Sequence, residues 1–152
     1  MKLIDRALLD KTSAEAKVNE RLRKNFNLHN DYSDPVNRLL NAMEPGTYIR
    51  PHRHADPPKN ETFIVLRGAL DILIFDDLGS IILRQTLSPE SGNYGMDIPA
   101  GIWHGMIVLL HDTVVYETKT GPYFPLTDKD FASWSPDPSD TTEVQKYLNQ
   151  FM

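Results

Sequence analysis

The feature that most limits how this chain can fold is a series of short runs of β-branched and aromatic residues with no helical pattern between them. Such runs are typical of strands. Residues 76–79 (DDLG) lie between two of the runs and predict a hairpin turn. Several short strands joined by turns favour an all-β sandwich, barrel or jelly roll. The predicted strands cover residues 61–66, 70–75, 80–87 and 113–118.

The segment before these strands has a helical pattern. Thr12 and Glu15 have the spacing of a capping box. Apolar residues then recur every four positions at Val18, Leu22 and Phe26. We therefore expect one amphipathic helix from Thr12 to Phe26, with His29 near its end as a surface or capping residue.

The remaining segments complete a one-domain organisation of the 152 residues. Residues 1–45 would hold the helix and a mixed connection, and residues 46–120 the barrel body. Residues 121–152 are proline-rich, aromatic and unperiodic at first, and would form an irregular extension with a short helix over 142–151. We expect the extension to cover the barrel or a partner subunit.

The chemistry-bearing residues are histidines. The chain has no cysteine, so a transition-metal site must use histidine and carboxylate ligands. His52 and His54 would point to the same face of a strand and converge on one ion. Glu61 opens the next predicted strand, and His104 follows a turn in IPAGIWHG. These four residues are the predicted ligands of one divalent ion, with Fe, Mn, Ni, Zn and Co all compatible with nitrogen and oxygen donors.

The same residues resemble the two conserved motifs of the cupin superfamily, which implies a jelly-roll barrel, or double-stranded β-helix, around a single metal. Six residues separate His54 from Glu61, more than the family usually has. This longer loop leaves Asp56 as an alternative carboxylate ligand. The first motif is matched by Gly46, His52, His54, Glu61 and Gly68, and the second by Pro99, Gly101 and His104.

A wider set of segments is similar to the WbuC family of cupin-fold metalloproteins. The resemblance implies a mononuclear metal and a link to genes for O-antigen and other surface polysaccharides, and it implies no particular reaction. The segments are RKNFNLH, RLLNAMEPGTYIRPHRH, ETFIVLRG, IPAGIWH and ETKTGPYFPLTDKDFASWSP.

Strand parity also selects neighbours of the predicted metal. If His52 faces the barrel interior, Arg50 and Tyr48 do so too, and Arg50 would place a cation beside the ion for an anionic substrate. The alternative is that Arg50 pairs with Glu117 for structural reasons. By the same parity, Phe63 and Met106 would line the cavity as packing residues.

Charge and hydropathy limit the partners. The 21 acidic residues outnumber the 16 basic ones, and the formal charge of −5 disfavours nucleic acid. Asp5, Arg6 and Asp10 interrupt any signal-peptide core, and no apolar run is long enough to cross a membrane. We expect a soluble cytoplasmic protein that binds a small molecule and pairs through sheet edges as a homodimer. His111, in an Asp-containing turn, is expected at the surface.

Three functions are compatible with this site. The first is a metal-dependent isomerase or epimerase acting on a small sugar-related or anionic substrate. The second is a metal-dependent dioxygenase. The third is a non-catalytic module that binds or senses a small molecule in the same pocket.

Overall fold

A computed structural model describes residues 1–127 and 130–151. Asp128 and Lys129, which the sequence places in the C-terminal extension, lie outside the described residues. Ten helices and strands follow one another along this part of the chain. They are α1 (Arg6–Lys17), β1 (Arg23–Asn27), β2 (Val36–Met43), β3 (Glu61–Arg67), β4 (Leu70–Phe75), β5 (Ile81–Leu87), β6 (Gly95–Ile98), β7 (Trp103–Val108), β8 (Thr113–Thr120) and α2 (Thr141–Asn149).

The strands form two antiparallel sheets, one with the order β1-β2-β8-β3-β6 and the other with the order β5-β4-β7. The sheets share one apolar core, because alternate residues of each strand point toward the opposite sheet. The predicted strand 70–75 coincides with β4, and the other three predicted strands match β3, β5 and β8 within two residues at each end. The core contains Met43, Phe63, Val65, Leu70, Ile72, Ile74, Leu87, Ile98, Met106, Val108 and Val115.

The turn between β3 and β4 depends on Gly68. Its φ of +79° lies in the left-handed region, which glycine adopts without strain. A Cβ at this position would also overlap the backbone and side chain of Thr113. The glycine that completes the first motif therefore lets β3 fold back tightly into the second sheet.

The N-terminal helix lies earlier in the chain than the sequence predicts. It begins after Asp5, whose Oδ1 accepts a 2.9 Å hydrogen bond from the amide of Leu8. Thr12, the predicted cap, is inside the helix and donates its hydroxyl to the Leu8 carbonyl. The expected helix over residues 12–26 is thus wrong after Lys17, and Phe26 belongs to β1.

The mixed connection expected between the helix and residue 45 contains a strand, β2. Leu40 and Ala42 pack outward against Ala16 of α1, whereas Met43 packs inward into the shared core. Both faces of β2 are therefore buried, so its sequence lacks the apolar–polar alternation that identifies a half-buried strand. Pairing with β8 places β2 inside the five-stranded sheet.

The C-terminal extension covers the outer face of the three-stranded sheet. Helix α2 begins after Asp140, which caps the amide of Glu143, and it confirms the short helix predicted near the end of the chain. Leu148 and Phe151 pack against Leu73, Phe75 and Ile107 of the sheet. In the described part of the chain, neither helix has the length and apolarity to span a membrane.

Candidate metal centre

The two histidines of the first motif lie on a loop that crosses one end of the barrel. His52 forms a single antiparallel bridge with His104 of β7, through amide–carbonyl hydrogen bonds of 3.0 and 2.9 Å. It forms a second bridge with Phe131 of the extension. The expectation that His52 and His54 share a regular strand is therefore wrong, and the bridge to β7 brings the imidazoles together instead.

Four predicted residues converge at this end. His52, His54, Glu61 and His104 each offer one ligand atom, and these atoms lie within 4.8 Å of one another. All four residues are buried. One oxygen of Glu61, Oε2, lies 3.2 Å from Nε2 of His54 and 3.1 Å from Nε2 of His104. Nitrogen and oxygen donors in this arrangement can enclose one small cation.

Hydrogen bonds to the backbone orient two of the rings. Nδ1 of His52 lies 2.9 Å from the Arg50 carbonyl, and Nδ1 of His104 lies 2.9 Å from the Ile102 carbonyl. A carbonyl only accepts, so Nδ1 carries the proton and Nε2 keeps a lone pair directed into the cluster. Metal-binding histidines are commonly held in this way.

His104 provides a test of whether the cluster fits a metal. Its two ring nitrogens both face acceptors, the Ile102 carbonyl and the Glu61 carboxylate. A neutral imidazole has one N–H and can donate to only one of them. A cation between Nε2 and the carboxylate would satisfy both lone pairs, so these residues fit a divalent metal.

The protonation states also suit a metal. Burial lowers the pKa of His52 to about 3, so the ring is neutral at physiological pH. Burial acts to raise the pKa of Glu61, but the charge of Lys119 and the contacts with His104 and His54 hold it well below the usual range. Neutral imidazole and ionised carboxylate are the forms that bind metal.

The long loop after His54 settles into a turn that leaves Glu61 with the histidines. Ala55 bridges to Pro58, and the amide of Lys59 donates to the His54 carbonyl. The turn returns the chain to β3, where Glu61 is its first residue. Asp56, the alternative ligand, lies on the exposed side of the turn, and the cluster contains Glu61 in its place.

Three polar residues beside the cluster, Asn41, Glu117 and Lys119, are not among the site residues predicted from the sequence. Lys119 donates to Oε1 of Glu61 at 2.9 Å and to Glu117 at 3.3 Å. Asn41 reaches the other oxygen of Glu117 at 3.5 Å. The signal was the two-residue spacing of Glu117 and Lys119, which places both on the inner face of β8. Register then sets Lys119 opposite Glu61.

Burial has opposite effects on the charges of this group. It raises the pKa of Glu117 to about 7, and the neighbouring Glu61 charge raises it further in the same direction. Burial also acts to lower the pKa of Lys119, but the Glu117 and Glu61 carboxylates outweigh it and the net shift is upward. Lys119 therefore stays a cation and neutralises part of the buried acid.

The cluster opens into a cavity of about 500 Å³. Phe63 and Met106 line it, as strand parity predicts, and Leu126 and Phe131 of the C-terminal extension contribute to its wall. A volume of this size suits a small molecule. Other residues in the wall include Tyr48, Arg50, His52, Glu61, Glu117 and Lys119.

Tyr48 and Arg50 line the cavity and also hold the extension. The Tyr48 hydroxyl donates to the Pro136 carbonyl at 2.8 Å. The Arg50 guanidinium donates to Oγ of Ser135 at 3.2 Å and to Asp137 at 3.4 Å. The structural partner of Arg50 is thus the extension rather than Glu117.

The remaining histidines lie away from the cluster. His29 is buried, with Nδ1 accepting the Arg38 amide at 3.1 Å, so its expected surface or capping position is wrong. It follows β1 rather than a helix, and its ring contacts the backbone of Arg38 in β2. His111 is exposed, as expected, and contacts Glu44.

Comparisons with known proteins identify the architecture. The sequence model of the family described as "Domain of unknown function (DUF6016)" matches residues 4–87. A search of curated proteins gave no match. Among solved structures, KdgF from Halomonas sp. superposes with a TM-score of 0.54 at 17% identity, covering 70% of this chain and 85% of KdgF.

Two further solved structures carry the cupin name. A cupin superfamily protein from Desulfitobacterium hafniense has a TM-score of 0.54 at 15% identity, over 71% of this chain and 85% of its own. A cupin-2 domain protein from Shewanella frigidimarina has a TM-score of 0.53 at 21% identity, over 78% of this chain and 95% of its own. These likenesses confirm the predicted all-β jelly-roll fold of the cupin type.

Proposed function

The chain belongs to the family described as a domain of unknown function (DUF6016), and we propose that it is a metal-dependent enzyme of isomerase or epimerase type. Its substrate would be a small sugar-related or anionic molecule. The observation that carries the proposal is the convergence of three imidazoles and one carboxylate, all buried, at the wall of a cavity of about 500 Å³.

His52, His54, Glu61 and His104 would hold the metal. A divalent ion bound by them would act as a Lewis acid toward a substrate carbonyl or hydroxyl. Three neutral imidazoles and one carboxylate would leave a bound divalent ion with a net positive charge. Lys119 fixes the other oxygen of Glu61, which keeps Oε2 directed at the histidines.

Isomerisation and epimerisation need a group that removes a proton and returns it. Glu117 is placed for this role because it lines the same cavity and is not one of the four clustered residues. Lys119 and Asn41 hold it through contacts of 3.3 and 3.5 Å. We propose that one Glu117 oxygen exchanges the proton with the substrate while Lys119 remains protonated.

The resemblance to the WbuC family supports a sugar-related substrate and a place in surface polysaccharide biosynthesis, including O-antigen. Tyr48 and Arg50 support an anionic or hydroxylated substrate, because these two polar residues lie in the cavity wall. The Asp137 partner of Arg50 is largely exposed, so a bound anion would compete with a weak ion pair.

A ligand-stabilisation screen tests the substrate class. Metal-loaded protein is heated with sugar nucleotides, sugar phosphates or keto acids, and we expect a rise in melting temperature with members of one of the two sugar groups. The same compounds should then be interconverted by wild-type protein and not by Glu117→Gln protein that retains its metal. Stabilisation by no sugar compound would contradict the sugar assignment.

A dioxygenase is the second candidate, because a donor set of three histidines and one glutamate also suits iron. Oxygen uptake by protein loaded with Fe(II) would favour it over the isomerase. The third candidate is a non-catalytic binding module that uses the same cavity, to whose wall Leu126 and Phe131 of the extension contribute. Ligand binding without turnover of any compound that binds would support this third candidate.

A further inference from the structure

A second cavity, of about 490 Å³, adjoins the one at the metal cluster. Arg21, Arg23, Asn25, Glu117 and Lys119 line both cavities. The space beside the cluster therefore extends past the Glu117–Lys119 pair toward the start of β1. A ligand in contact with the cluster has room to reach this strand.

Arg23 differs from the other half-buried cations of this shared wall in its contacts. It is the first residue of β1 and pairs with Met43 of β2, so its side chain lies on the inner face of the sheet. It is half-buried. Within residues 1–127 and 130–151 its guanidinium has neither an ion-pair partner nor a hydrogen-bond acceptor.

The other half-buried cations of the cavity wall are paired. Arg50 contacts Asp137, and Lys119 contacts Glu61 and Glu117. Burial, followed by the neighbouring charge of Arg21, lowers the pKa of Arg23 from its usual value. A half-buried guanidinium without an anion is costly, because desolvation is not offset by an ion pair.

The charges around Arg23 leave a positive surface. Arg21 stands two residues before it, and no ion pair engages the Arg21 side chain in the part of the chain described here. Glu20 and Glu117 are the nearby acids, and Glu117 already contacts Lys119. This positive surface lies in a protein whose formal net charge is −5.

We propose that Arg23, supported by Arg21 and the side-chain amide of Asn25, binds an oxyanion group of a substrate whose other end contacts the histidine–glutamate cluster. The group is a carboxylate or a phosphate, since the planar guanidinium donates two parallel hydrogen bonds to either. This inference rests on the proposed function, and it narrows the substrate to a molecule with an oxyanion at one end and an oxygenated carbon at the other.

Calorimetric titration with inorganic phosphate and with succinate tests the subsite, on both metal-loaded and metal-free protein. In Arg23→Gln protein we expect the Kd of the anion that binds to rise about tenfold or more, the effect of losing one charge-assisted contact. Arg23→Lys keeps the charge but loses the planar guanidinium, so its Kd should lie between those of wild type and Arg23→Gln. The anion that binds more tightly to wild type distinguishes phosphate from carboxylate.

Arg38→Gln is the matched control, because Arg38 lies on the outer face of β2 and is partly exposed beside Asp34. Its Kd should equal that of the wild type. The inference is overturned if neither anion binds to wild-type protein, if Arg23→Gln binds as tightly as wild type, or if Arg38→Gln loses as much affinity. The metal content of each protein is measured separately. Failure of wild type to take up metal would therefore refute the proposed function, while the metal-free titration still decides the subsite.

Discussion

The two ends of the barrel interior are built by the same strands and differ in chemistry. At one end β3 contributes Glu61 and β8 contributes Glu117 and Lys119. A few residues farther along the same inner faces, Val65 lies opposite Val115 in the apolar core. The change from ionic to apolar side chains takes place along each strand while its alternation stays in phase.

This difference shows that one face of a sheet can supply both an apolar core and a polar cluster suited to a metal. The apolar end gains free energy from burying surface. The polar end buries charges, whose desolvation is offset only by good partners. Those partners are present as the Lys119–Glu61–histidine network, and we expect a bound metal to complete it. Stability and metal binding should therefore be separable by mutation.

The largest effect on stability is expected at the apolar end. Ile72 is fully buried in the core, so Ile72→Ala should lower the free energy of unfolding by about 2–5 kcal/mol. Ile82→Ala on β5 is the control, because Ile82 is 66% exposed and its loss should change stability by at most about 0.5 kcal/mol. Urea unfolding of metal-free protein measures both. Equal costs for the two variants would contradict this placement of the core.

The next effect is expected at the polar end and should require metal. His52→Ala and His104→Ala should each lose metal by elemental analysis. They should also lose the stabilisation of about 2.7 kcal/mol that a ligand at a hundredfold excess over its Kd gives the wild type. His111→Ala removes an exposed imidazole outside the cluster and should retain both. Full metal occupancy in either cluster variant would refute the four-ligand site.

The sequence predicts this polar end better than it predicts the elements around it. His52, His54, Glu61 and His104 could be predicted because few residue types bind metal and their spacing resembles a known motif. Lys119 was missed because a charged residue at the end of a strand is as typical of a solvated surface as of a buried site. Its role depends on its register opposite Glu61, a contact between residues far apart in sequence.

The N-terminal elements could not be predicted from local sequence for a related reason. Leu22 and Phe26 fit a helical spacing, yet Phe26 pairs with Leu40 in the β1–β2 ladder. This pairing overrides the helical preference, since β structure depends on distant partners. In β2 both faces are buried, so its sequence does not show the alternation of apolar and polar residues that identifies a strand. Local pattern was sufficient for β4, where a continuous apolar run is bounded by turns.

The smallest effect expected is a pH dependence of the metal-free protein that arises from His52. Its pKa is about 3 in the folded state, against about 6.5 when unfolded, so the unfolded state binds more protons in this interval. Its contribution to stability is fully present above about pH 6.5 and is lost as the pH falls. The cost is on the order of 1 kcal/mol between about pH 6.5 and 5.5.

Glu117 gives the stability a pH dependence of the opposite sign to that of His52. Comparing two proteins that both contain Glu117 removes its contribution. Because its pKa is raised to about 7, the Glu117 carboxyl stabilises the folded state at low pH and loses that contribution as the pH rises. We therefore compare wild type with His52→Gln, since both retain Glu117. The stability of the variant relative to wild type should increase as the pH falls below about 6.5. A pH-independent difference would mean that the imidazole of His52 is not held neutral at the polar end.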